Sequence, residues 1–165
     1  MRLPGRSVVP AEVASVLPDH SRPLAAARAA DGTWLVGTRD ELFLVPPSRA
    51  VRRVAWEEVE SATWDREAEL LRVAEVGEFG QRRPMHAFVL SEAATLLAFI
   101  RERVTASVLL QRRGDGFTVV ARRPPGGGEV RWSTEYDEGV EPGDPAVEAR
   151  VAEVLTAAAG ELGTL

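Results

Sequence analysis

The chain has 165 residues, 45% of them hydrophobic and 27% charged, with a net charge of −5. That balance suits one globular domain, or one domain with an appendage, and is too apolar for a disordered chain. Cysteine is absent, which excludes disulfides, thiolate nucleophiles and most zinc sites.

No apolar run approaches the roughly 18 residues that cross a bilayer. The opening MRLPGRSVVPAEV lacks the continuous apolar stretch of a secretion signal, so a cytoplasmic location is expected. All 20 cationic side chains are Arg, Asn is absent, and Ile100 is the only isoleucine. These are the preferences of GC-rich codons, which points to a high-GC bacterial genome of the actinobacterial type. Residues 133–165 carry eight acids against Arg150 alone, while the rest of the chain is faintly basic. The absence of a strong basic surplus argues against nucleic acid as a partner.

After nine residues without a clear pattern, PAEVASVLP (10–18) predicts a short helix: Pro10 suits the first turn, Val13, Val16 and Leu17 share a face, and Pro18 stops it. In LAAARAADGTWLVGTRDELFLV (24–45), Asp31-Gly32 marks a hairpin and Thr38-Arg39-Asp40 a second turn. Leu42 and Leu44 then alternate with Phe43 and Val45, and Pro46-Pro47 ends pairing because proline has no amide hydrogen. Val51–Val54 reads as a strand. Trp56 and Val59, at i and i+3, predict a single helical turn. Extended chain follows over 61–65, 70–76 and 85–90, the last two separated by a Gly-rich turn over 77–80. SEAATLLAFIRERV (91–104) predicts a helix capped by Ser91, with Ala93, Leu96, Leu97, Ile100 and Val104 on one stripe.

The TRDELFLV hairpin strand, the RRVAWEEVESATWD unit and the helix 91–104 together resemble the pleckstrin-homology-like (PH-like) fold, particularly its bacterial versions, over about half the chain. The resemblance implies an α+β, mainly β fold: a bent antiparallel sheet or barrel of about seven strands, capped by that helix. It also implies that Trp56 covers a corner with Val59 packed inward, and that Trp64 packs on a sheet face. The expected core is therefore Trp56, Val59, Trp64, Leu96, Leu97 and Ile100. Family members that bind lipid headgroups use a basic first hairpin loop. Here that loop is Ala30-Asp31-Gly32-Thr33, short and acidic, so headgroup binding is not implied.

Beyond the helix, 105–113, 116–123 and 129–136 predict three strands, and Asp144-Pro145 opens a helix with Val147, Val151, Val154, Leu155, Ala158 and Leu162 on one face. The expected organisation is a segment 1–23 with a short helix, a PH-like domain over 24–104, and a βββα extension over 105–165. The extension either stands as a second small domain or packs onto the first.

Catalytic chemistry has little to work with, and no catalytic residue, metal ligand or cofactor is expected. His20 lies in a polar loop and His86 in a strand, without a His–acid cluster. PPGGGE (124–129) lacks the Lys and Ser/Thr of a phosphate-binding loop and reads as a hairpin connection. Glu135, Tyr136, Asp137, Glu138 and Glu141 crowd into one segment, but without the pattern of a calcium loop. Four Arg-Arg pairs stand at 52–53, 82–83, 112–113 and 122–123. Adjacent strand residues face opposite ways, so each pair gives one Arg per face.

The candidate partner-binding residues are Glu135, Tyr136, Asp137, Glu138, Arg52, Arg53, Arg112 and Arg113. The leading expectation is a non-enzymatic interaction module that binds a protein or itself, through an edge strand or through the acidic segment. One alternative is a ligand-binding protein or enzyme with a pocket where the two halves meet, built from His86, Glu135 and Tyr136. Another is a membrane-surface adaptor using the Arg pairs, which the net negative charge disfavours.

Overall fold

The computed structural model describes residues 8–77 and 82–163. The expected turn over 77–80 lies, beyond Gly77, outside the described residues, as do residues 1–7 of the opening segment. After a one-turn helix α1 (Ala11–Ala14), strands β1 (Ala25–Arg28), β2 (Trp34–Gly37), β3 (Glu41–Val45) and β4 (Arg52–Ala55) form an antiparallel sheet in that order. The β1–β2 turn is made by Gly32 at φ +87° and by Asp31, whose carboxylate accepts from the Thr33 amide at 2.9 Å. At the β2–β3 turn the Thr38 hydroxyl both accepts from the Glu41 amide and donates to the Glu41 carbonyl.

A 3-10 turn (Trp56–Glu58) then redirects the chain into a second antiparallel sheet, β5 (Val59–Asp65), β6 (Leu70–Glu75) and β7 (Met85–Val89). The seven strands do not close into one barrel. They divide four and three, because the turn at Trp56 interrupts ladder pairing between β4 and β5. At the other junction a backbone bond from the Ala30 amide to the Val89 carbonyl, at 2.9 Å, ties the first sheet to β7.

The sheets bury one core between them. Leu35, Leu42, Leu44 and Val54 come from the first, Leu71 and Val73 from the second, and Trp56 and Val59 from the corner. Helix α2 (Ala94–Ser107) completes it with Leu96 and Ile100, while Leu97 and Trp64 are partly buried at its margin. The Trp56 indole N–H donates to the Thr38 carbonyl at 3.0 Å, so its burial leaves no orphan donor. Its ring meets Phe99 edge-on, at 5.9 Å between centroids. A β-carbon on Gly37 would lie 2.7 Å from the Phe99 ring, so this strand position has room only for glycine. The outer face of the first sheet is covered too: Val36, Phe43 and Val45 pack under Val9, Val13 and Leu17. Burial on both faces explains the unbroken apolar run from Leu42 to Val45.

Two sequence expectations need correction here. Helix α2 begins after Ala93, with no side-chain cap, and Ser91 lies exposed in the preceding bend. Thr105–Ser107, expected to open a strand, instead finish the helix. The Ser107 hydroxyl bonds the Val104 carbonyl at 2.7 Å, and the chain passes into β8 (Val108–Gly114) without a loop. Strand β9 (Phe117–Arg122) is central in a third antiparallel sheet, between β8 and β10 (Arg131–Tyr136). Helix α3 (Pro145–Leu162) covers one face, laying Val147 and Val151 on Phe117 and Val119. Its start is set by Asp144, which accepts from the Ala146 and Val147 amides, and its end by Gly163 at φ +65°.

Candidate functional site

The structure gives most of the paired arginines an internal carboxylate. Arg52 forms a two-pronged pair with Glu75, and His86 reaches the same carboxylate. Arg53 holds Glu41 and lies over the Phe43 ring. Arg83 pairs with Glu60, Arg112 with Glu161 of α3, and Arg113 with Asp137. Burial works against ionisation of Glu75, but hydrogen bonds from His86 and Arg52 outweigh it and hold the carboxyl below its ordinary value of 4.5. The Arg113 guanidinium likewise lowers Asp137. Among these candidates the positive charge is therefore largely spent within the chain rather than gathered on one face.

The acidic segment is divided in the same way. Asp137 is held by Arg113, and Glu135 by Arg122 at 3.0 Å, while Glu138 and Glu141 project into solvent. Tyr136 donates to Glu148 at 2.8 Å; burial and that carboxylate push its hydroxyl up to about 12. His86, Glu135 and Tyr136, the trio considered for a pocket between the halves, each bond a different partner and make no joint site. Among the described residues no group of three or more His and acids is placed to hold a metal.

Arg122 is the residue whose importance the Arg-Arg motif concealed. It is 3% exposed, bonds the Ser133 hydroxyl and Glu135, and reaches across to the Glu60 carbonyl of β5 at 3.4 Å. It thereby joins the third sheet to the second. Glu60, beside it, is raised above its ordinary value by burial, which outweighs Arg83. The sequence signal was the alternation in FTVVAR, which puts Arg122 on the same buried face as Val120. A cavity of about 300 Å³ lies at this junction, lined in part by Glu57, Glu75, Arg122 and Trp132.

A second recess of about 300 Å³ runs between β5 and α2, lined by Ala62, Trp64, Leu97, Ile100, Arg101 and Val104, among others. The Glu75 amide bonds the Pro84 carbonyl and the Leu90 amide the Glu69 carbonyl. By antiparallel alternation, odd-numbered residues of β6 bond β7 and even-numbered ones bond β5. Ser61, Thr63 and Asp65 thus use their backbone groups on β6. Ala62 and Trp64 direct theirs outward, along the free edge beside α2. The groove combines an unpaired strand edge, an apolar floor and a cation, since among the described residues no carboxylate pairs with the exposed Arg101.

No helix among the described residues is long and apolar enough to cross a membrane. No protein-family model matches the chain, and no curated protein matches it either.

Proposed function

We propose that this chain is a non-enzymatic protein-interaction module of PH-like architecture, which takes up an extended segment of a partner protein along the edge of β5. The observation that carries this reading is the outward backbone of Ala62 and Trp64 beside a groove lined by Trp64, Leu97 and Val104. An added strand would gain main-chain hydrogen bonds from the edge and a pocket for alternate apolar side chains from the α2 wall. Arg101 on the rim selects for an acidic residue in the same segment. The order of four strands, a corner turn, three strands and a helix supports the PH-like reading. The internal neutralisation of the Arg pairs favours this groove over a membrane-facing cationic surface.

The test is selection of binding peptides from a displayed random library, followed by amide mapping by NMR. The expected peptides share an apolar residue near an acid, shift the Ala62 and Trp64 amides, and lose binding to Arg101→Glu. Peptides that map to another surface, or that bind Arg101→Glu unchanged, would overturn the assignment.

A further inference from the structure

A cavity of about 790 Å³ lies apart from the β5 groove and shares Glu57 with the Arg122 junction. Its wall is assembled from distant parts of the sequence. His20 and Arg22 come from the segment before β1, Arg39 and Asp40 from the β2–β3 turn, Glu57 from the corner turn, and Arg103 from α2. This is the opposite end of β2 from the Asp31-Gly32 hairpin. The PPGGG connection closes on it: a β-carbon at Gly126 would come within 2.9 Å of the Arg39 guanidinium, and Pro124 forms part of the wall.

The charges here are arranged unlike those of the paired arginines. Arg52, Arg83, Arg112 and Arg113 each hold a carboxylate far away in sequence. Among the described residues Arg39 pairs only with its neighbour Asp40, at 3.8 Å, and Arg103 only with its neighbour Glu102. Among the described residues no carboxylate pairs with Arg22. Arg103 is fixed by its seat over the Phe99 ring, 5.2 Å from the centroid, and its Nε is buried without a hydrogen-bond partner. One oxygen of Glu57 is buried without a partner as well. Of the remaining lining charges, Glu41 and Arg53 satisfy each other. Three underused guanidiniums therefore share a cavity with two carboxylates that have acceptor capacity to spare.

We infer that this cavity binds a small phosphorylated sugar or polyol. Its phosphate would lie among Arg22, Arg39 and Arg103, which suit a tetrahedral dianion through charge-assisted hydrogen bonds. Its hydroxyls would donate to Glu57 and Asp40, which a bare anion would find repulsive. A cavity of this size, with a few convergent polar groups and apolar patches at Leu24 and Ala55, has the usual dimensions of a small-molecule site.

Isothermal titration with a ribose phosphate, free ribose and inorganic phosphate tests it on the full chain. The ribose phosphate is expected to bind saturably and more tightly than either fragment. Arg22→Ala and Arg39→Ala, both at exposed positions that leave the core intact, should each weaken it about tenfold. Arg82→Ala, at an exposed site away from the cavity, should not. Equal effects of all three variants, or inorganic phosphate binding as well as the sugar phosphate, would overturn the proposal, as would no binding at millimolar concentration. Vesicles carrying a phosphatidylinositol monophosphate probe the lipid-borne form of the same chemistry. Recruitment to them without affinity for the soluble ligand would also overturn it.

Discussion

In residues 24–104 the core side chains come from two facing sheets, the corner turn and one helix, and they are apolar; the buried carboxylate Glu75 sits beside Arg52 and His86. The third sheet with α3 is built differently. It buries Phe117 and Val119 beneath Val147 and Val151, then surrounds this small core with Arg112–Glu161, Arg113–Asp137, Arg122–Glu135 and Tyr136–Glu148. A unit of about 60 residues buries too small a share of its surface to be robust by itself. The other face of its sheet, with Val120 and Arg122, is buried as well, and Arg122 reaches β5 there. The contrast teaches that one chain composition supports both a large apolar core and a smaller one bordered by polar pairs, one of whose arginines reaches the neighbouring sheet.

The largest effect should come from the centre of the first unit. Trp56→Ala removes a fully buried ring and its bond to Thr38, and should cost about 3–5 kcal/mol in urea unfolding, with both units lost together. If the third sheet kept its protection while the first two unfolded, its dependence on them would be refuted. Arg122→Met should come next. It leaves Glu135 without its cation and severs the tie to Glu60, for about 3 kcal/mol, reduced by the partial exposure of Glu135. Hydrogen exchange should then show β8–β10 opening while β1–β7 stay protected; uniform loss across all ten strands would contradict the division drawn here. The smallest effect is confined to alkaline pH. The Tyr136 hydroxyl, raised from 10 to about 12 in the folded chain, keeps its proton longer than in the unfolded chain. Stability from this group is complete below pH 10 and is lost as pH rises towards 12. Tyr136→Phe should remove that part of the decline, as read from denaturant midpoints across the range.

Local chemistry made much of the element order legible. Asp31-Gly32, Pro46-Pro47 and Asp144-Pro145 act through the backbone angles and donors of their own residues, so they read the same in any fold. The i and i+3 spacing of Trp56 and Val59 fixed the corner turn for the same reason. Where local signals compete, the tertiary setting overrides one of them: Ser91 offers a cap, yet the helix starts after Ala93, and Thr105 fits an extended run but lies in the last turn of the helix. The candidate site residues were harder still. Arg52, Arg53, Arg112 and Arg113 were visible as cations, but their carboxylates lie 12 to 49 residues away, which no local pattern encodes.

The sequence by itself determined which segments extend, which turn and which faces are apolar, because those properties depend on side chains a few residues apart. Only the tertiary structure decided that seven strands split into sheets of four and three, and that Ala62 and Trp64 face an open edge. It also decided that Arg122 is a buried tie while Arg22, Arg39 and Arg103 meet around a cavity. Such outcomes depend on which distant groups are brought within a few ångströms. The same guanidinium is a structural ion pair or a free binding group according to whether a carboxylate arrives beside it.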